Sequence, residues 1–165
     1  MHKDEILLTS PSSFLNYWLI NYEELLSNKS KNIFFDYYKN WINNFTPYLR
    51  THYDSQSHEV VDKVSNTRDL RVLEIGWGVG TESLYFALKG AKVTGIDIRP
   101  GRLNVALERK EILRKVGFDL EVEFYNKNIN QLEGKYDIIW MEQAFHHIEP
   151  RLSTIKKISE LLCVG

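Results

Sequence analysis

Three glycines separated by single residues, Gly76, Gly78 and Gly80, follow directly on an apolar run from Val72 to Ile75. Without Cβ atoms, such a turn lets bare main chain approach a ligand and tolerates positive φ. A helix starting behind it adds unpaired N–H groups and the positive end of a dipole. Two acids flank the turn: Glu74 just before it, and Asp97 at the end of the next β-branched run, Lys92 to Ile96. An acid some twenty residues beyond the first glycine is placed to accept hydrogen bonds from a ribose. The alternative for Asp97 is a solvated carboxylate at a strand end. Farther along, Glu142, Gln143, His146 and His147 follow another apolar run, and an imidazole titrates near neutral pH.

Positioning these groups takes a strand, a tight turn, a helix and a second strand within residues 69–97. That is a βαβ unit, and it implies a parallel sheet. Glu74 and Asp97 then face the crevice beyond the carboxyl ends of the strands, where ligands bind in open α/β sheets. Beyond Asp97, the residues Leu103, Ala106, Leu107, Ile112, Leu113 and Val116 share a helical face, with Pro100 in the first turn and Gly117 as the stop. Leu120 to Tyr125 alternates as a third strand, NKNINQLEGK is a polar loop, and Tyr136 to Met141 reads as a fourth strand buried on both faces. Ile148, Leu152, Ile155, Ile158, Leu161 and Leu162 predict a last helix within 147–162.

The first third of the chain holds an unusual share of its aromatics. Phe34, Tyr38, Trp41, Phe45 and Tyr48 recur at helical steps, with Phe35, Ile42 and Leu49 beside them, and Pro47 should kink or end that helix. Phe14, Trp18, Leu25 and Leu26 suggest an earlier helix, capped by Ser10, Ser12 or Ser13. The stripe reads as core, or in part as a lid over a ligand pocket, since Tyr and Trp join an apolar body to a polar tip. Residues 51–69 are polar apart from Val60, Val61 and Val64, and read as a linker with a brief helix. The expected division is a helical segment, lid and linker over 1–68 and a ligand-binding α/β domain over 69–165.

A chain of 165 residues with net charge -1 and no block of like charges is one compact unit by size. It offers no phosphate-neutralising surface for nucleic acid. The single cysteine, Cys163, excludes an internal disulfide framework and points to a reducing, cytoplasmic setting. No apolar run approaches a membrane span, and the MHKDEILLTSPSS start does not read as a signal peptide.

Thr81 stands where a dinucleotide fingerprint has Gly or Ala, which weakens a pyrophosphate reading. The pattern V-L-E-I-G-W-G-V-G with Asp97 beyond it resembles the first two motifs of class I S-adenosylmethionine-dependent methyltransferases. Asn128 after the third strand and YDIIWMEQAFHHIEP as the fourth strand and its loop extend the resemblance over residues 69–165. It implies an α/β fold with a Rossmann-like parallel sheet of order 3-2-1-4 flanked by helices. S-adenosylmethionine is the implied cofactor and a small molecule the implied acceptor. Carried over residue by residue, Glu74 and the turn Gly76, Trp77, Gly78, Gly80 surround the methionine end. Asp97 holds the ribose hydroxyls, Ile98 lies beside the adenine, and Asn128 meets the adenine amino group through its amide oxygen. Trp77 stands where a small residue or Cys is common; it either offers an indole face to the sulfonium or packs on the N-terminal helices. His147 aligns with a His of many small-molecule members and is the candidate general base, or else orders the loop. Glu142 and Gln143 read as cofactor-shell or loop-bonding residues.

The Asn/Asp-Pro-Pro-aromatic sequence of amino-methylating nucleic-acid enzymes is replaced by WMEQA, which agrees with a small-molecule acceptor. The chain stops at LLCVG, inside a loop after which the family's sheet adds three strands, with Val164 in place of the loop's proline. A truncated chain is therefore expected. Its exposed fourth strand would self-associate, take a completing chain, or pair with the N-terminal EILLT. A non-catalytic cofactor-binding or interaction module is the second functional reading, and a nicotinamide-dependent oxidoreductase the third.

Overall fold

The computed structural model describes residues 9–44, 46–142 and 144–163. Gln143, Phe45, Val164 and most of EILLT, together with the side chains of Trp41, Ile42 and Leu49, lie outside the described residues.

Val72, Leu73, Ile75, Val93 and Ile96 are buried, and burial of such side chains at about 1.5–3 kcal/mol each makes these runs the centre of a sheet. β1 (Arg71–Ile75) and β2 (Lys92–Asp97) pair in parallel from Arg71 with Lys92 to Ile75 with Ile96. β3 (Val122–Asn126) joins β2, and the short β4 (Ile138–Trp140) joins the other side of β1, giving the order β3-β2-β1-β4. The sheet order is the one expected. The outer side of β4 is not wholly bare: Tyr136 N–H donates to Leu161 O, and Cys163 N–H donates to Tyr136 O, so the chain after the last helix starts alongside β4. The β4 side chains are only part-buried, in contrast to the expected strand with two covered faces.

Right-handed crossovers place α4 (Thr81–Leu88) and α5 (Pro100–Lys115) on one face of the sheet. α4 is buried from Thr81 to Ala87, as suits a helix apolar nearly all round. Its outer side is covered by α1 (Pro11–Asn21), whose Phe14 ring meets Tyr85 at 6.3 Å. α1 opens at Ser10, whose hydroxyl accepts from Ser13 N–H while Ser13 Oγ caps back. It ends at Asn21; Leu25 falls in a separate 3-10 turn and is exposed.

α2 (Asn28–Asn44) lies on α5, tied at its start by Glu108, which accepts from Ser27 N–H (3.0 Å), Ser27 Oγ (2.8 Å) and Ser30 Oγ (2.7 Å). The break before Pro47 ends this helix, so Tyr48 belongs to the next one and is exposed. That helix, α3 (Pro47–Asn66), replaces the expected linker. Its polar sequence hides a narrow buried line at Tyr53, Ser57 and Val64, and Asp54 accepts from Ser12 N–H of α1 at 3.0 Å. α6 (Arg151–Leu161) begins later than the apolar spacing suggested, because Phe145–His147 form a 3-10 turn first. No helix among the described residues is long and apolar enough to cross a membrane.

One side chain ties these layers together. Arg109 of α5 is fully buried, its Nη1 donating to Val79 O and Thr81 Oγ1, each at 2.8 Å. Its guanidinium lies 4.5 Å from the Trp18 ring, 5.1 Å from Phe34 and 5.7 Å from Phe14. The ring faces add favourable electrostatics to these bonds, as do the nearby Tyr38 and Glu82. Burial lowers its pKa to about 10, which leaves it charged at neutral pH.

Candidate functional site

The turn between β1 and α4 is held open by its backbone. Gly76, Gly78 and Gly80 have φ of 84, 61 and 84°, the left-handed region that glycine adopts without steric cost. Gly76 N–H donates to Ile96 O at 2.7 Å, and Gly80 N–H closes the turn on Trp77 O at 2.8 Å. A Cβ on Gly76 would meet the Ala144 methyl at 2.7 Å, and one on Gly78 would run into the Tyr37 hydroxyl. The first approach brings the loop after β4 onto the turn. The second brings α2 onto it.

Asp97 closes the end of β2. Its two carboxylate oxygens accept from Gly78 N–H at 3.3 Å and Arg99 N–H at 2.9 Å, while Asn126 Nδ2 donates to its main-chain oxygen at 2.8 Å. The carboxylate is thereby fixed by main chain on both sides of the sheet's carboxyl edge, and lone pairs remain on each oxygen.

A cavity of about 330 Å³ opens at this edge, within the usual range for ligand pockets of roughly 300–1,000 Å³. Gly76, Asp97, Ile98, Asn128, Glu142 and His147 all line it, which brings six of the expected site residues to one place. Ile98 is 68 % exposed and presents an apolar surface beside Asp97. Asn128 stands across the cavity, but its amide oxygen already accepts from Asn130 N–H at 3.0 Å and caps a short turn. His147 is exposed, with its ring 3.8 Å from that of His146.

Glu74, Trp77, Gly78 and Gly80 do not line the cavity. Glu74 points into the fold, where its carboxylate accepts from Ser83 Oγ. Burial drives its pKa up to about 7, against the lowering effect of the serine. Trp77 is buried against Phe124 of β3, ring centroids 5.5 Å apart. Gly78 is covered by Tyr37, and Gly80 starts α4.

Glu142 is raised well above the carboxylate range by burial first, then by the charges of Glu82 and Glu74 and a side-chain hydrogen bond to Glu82. Glu82, in the first turn of α4, is also raised by burial. Tyr37 holds its phenolic proton firmly for the same reasons, burial and then the nearby Glu82. The Arg102 guanidinium lies 4.7 Å from the Tyr37 ring centroid, so Tyr37 is held between α5 and the glycine turn. Sequence reading missed Tyr37, Arg99, Arg102 and Lys127 as lining residues. Tyr37 sits off the apolar stripe that drew attention to its neighbour, and only its phenol beside a candidate lid gave any signal.

Among the described residues, no group of three or more His, Cys, Asp or Glu side chains is arranged to hold a metal ion. The lining joins an acid fixed at the strand ends, an apolar shelf at Ile98, a further carboxyl at Glu142 and the cations Arg99, Arg102 and Lys127, which suits a polar ligand with vicinal hydroxyls and charges of both signs.

Residues 73–165 match the family model described as "Methyltransferase domain". The chain is 30% identical over 92 residues to an uncharacterized methyltransferase of Staphylococcus carnosus, covering 56% of this chain and 41% of that protein. It is 30% identical over 108 residues to a ubiquinone biosynthesis O-methyltransferase of Aeromonas salmonicida, covering 64% and 44%. It thus spans less than half the length of these curated relatives. The solved structure of magnesium protoporphyrin IX methyltransferase from Synechocystis PCC 6803 with bound SAM superposes with a TM-score of 0.55 at 22% identity, over 83% of this chain and 73% of that one, and shares its fold.

Proposed function

Because this chain belongs to the methyltransferase-domain family, we propose that its cavity takes S-adenosylmethionine and that the protein methylates a small molecule. The observation that carries this reading is Asp97, whose carboxylate is locked at the cavity by two backbone N–H groups with lone pairs left for a ribose diol. Ile98 and Asn128 flank the base, and Gly76 lets the main chain approach the methionine end. Bound there, the sulfonium would supply an electrophilic methyl group.

The protein's own contribution is placement and exclusion of water, which can supply several kcal/mol of a transfer barrier, about 7–11 in the best oriented cases. Tyr37 of α2 and Arg102 of α5 close one side, and on this reading the N-terminal helical segment contributes its lid through Tyr37. His147, exposed at the rim, is the group in reach of solvent that can take a proton from an acceptor hydroxyl. Kinship with a ubiquinone-pathway O-methyltransferase supports an oxygen acceptor on an organic molecule. A single cysteine in the whole sequence supports a reducing compartment.

Calorimetric titration with S-adenosylmethionine, S-adenosylhomocysteine and NAD tests the reading. Both adenosyl ligands should bind and NAD should not; binding of NAD alone would overturn it. A non-catalytic cofactor-binding module is the second reading, favoured by the Tyr37 hydroxyl occupying the space in front of Gly78. Binding without turnover that persists in Tyr37→Ala, across a broad acceptor panel, would establish that second reading.

A further inference from the structure

One acid of the cavity lining, Glu142, has no evident use in holding a ribose or an adenine, and further carboxyl groups lie buried behind it. Glu142 lines the cavity two residues before Ala144, whose methyl packs on Gly76, and Glu82, 7 % exposed, stands in the first turn of the helix that the same glycine turn opens; the side chains of the two acids are hydrogen-bonded. Two carboxyl groups joined in this way hold a proton between them, since neither oxygen can donate otherwise. The other charged or titratable groups around Glu142 are Glu74 of β1, Asp54 of α3, Tyr37 of α2 and Arg109 of α5. Arg109 is already bonded to Val79 and Thr81, Asp54 to Ser12, and Glu74 to Ser83. The Arg109 charge favours the ionised form of Glu82, but burial outweighs it, so the pair keeps its proton. His147, Arg99, Arg102, Lys127, Asp97 and Glu149 complete the cavity's charged lining.

Resting on the cofactor reading above, we propose that Glu82 and Glu142 form a charge-matching pair that gives up its shared proton when a sulfonium enters the cavity, and so selects S-adenosylmethionine over the neutral thioether S-adenosylhomocysteine. Burial and mutual repulsion keep the pair protonated in the free protein. A fixed positive charge nearby reverses that preference, because the carboxylate form then gains an opposite charge in a poorly solvated site. The spent thioether offers no such charge, so the proton returns and the product is held less tightly.

The two nucleosides share their α-ammonium, α-carboxylate and adenosine, so the ratio of their affinities isolates the sulfonium. Titration calorimetry between pH 6 and 8, in buffers of different ionisation enthalpy, reads both the ratio and the protons released. The S-adenosylmethionine preference should grow about tenfold per pH unit, with close to one more proton released than for S-adenosylhomocysteine. Glu142→Gln and Glu82→Gln should each flatten that slope, while His147→Gln should retain it, which separates the pair from the nearby imidazole. Thermal unfolding verifies that each variant is folded, and the two variants test the pair independently. Equal proton release for both nucleosides, or a slope unchanged in Glu142→Gln, overturns the proposal. Failure of either nucleoside to bind the unmutated protein would instead overturn the cofactor reading on which it rests.

Discussion

Asp97 is fixed from two directions by main-chain N–H groups, so its loss should cost ligand contacts without disturbing the sheet. A hydrogen bond to a charged group is worth about 1.5–3 kcal/mol, and Asp97→Ala should weaken S-adenosylhomocysteine binding by roughly 10- to 100-fold with little change in Tm. Equal affinity in wild type and variant would move the ribose elsewhere. At Gly78, φ of 61° and the abutting Tyr37 hydroxyl make Gly78→Ala both strained and crowded. The expected result is displacement of Tyr37 and a loss of nucleoside affinity, which Tyr37→Ala, by removing the ring that the new Cβ would overlap, should partly restore; calorimetry on the single and double variants checks it. The glycine spacing and the strand-end acid were legible because their chemistry is local: a turn without Cβ atoms and a carboxylate after a β-branched run. Tyr37 was not, because nothing local distinguishes a phenol that covers a turn from one that faces solvent. Nor was the inward aim of Glu74, which depends on Ser83 one helix later.

At the scale of elements, α1 and α2 are joined to the glycine turn through Arg109, whose Nη1 bonds to Val79 O and Thr81 Oγ1 while Phe14, Trp18 and Phe34 enclose its guanidinium. Arg109→Met keeps much of the buried volume but leaves Val79 O without this donor. It should cost about 2–4 kcal/mol of stability and raise hydrogen exchange in residues 78–81 and 30–38 together, by the loss of a buried charge-assisted contact. Exchange rising in one segment alone would show that the helices and the turn are not coupled. α3 escaped sequence reading because its buried line is one residue wide, Tyr53, Ser57 and Val64, in a segment otherwise made of charged and hydroxyl side chains. The βαβ unit was legible because its apolar runs are continuous and its helix is apolar on nearly every side.

For the whole molecule, buried carboxyl groups make folding stability depend on pH in the direction opposite to that of a salt-bridged acid. Glu74 binds its proton more tightly in the folded chain, at about 7 against 4.5. Between those values the native state holds more protons than the unfolded one, so stability is fully present below about 4.5 and is lost as pH rises through about 7. Its share is at most about 3 kcal/mol. Tm should therefore fall by roughly 5–10 °C from pH 5 to 8, and Glu74→Gln should remove part of that slope. A Tm that rises over this range would mean the carboxylate is ionised inside the fold. The order β3-β2-β1-β4 was readable from the family resemblance, whereas the layering of α1 over α4 was not. A helix with no local cue for its partner packs wherever the global arrangement leaves apolar surface uncovered, and Phe14, Leu15 and Trp18 found it on α4 and Arg109.

The indole of Trp18 sits 4.5 Å from a guanidinium that grips the Val79 carbonyl, yet its residue is sealed from solvent. Emission from such a ring is sensitive to the electric field of the nearby cation. Trp18 is thus a built-in optical gauge: a ligand pulling on the main chain at Val79 would alter its colour and brightness without any label being attached.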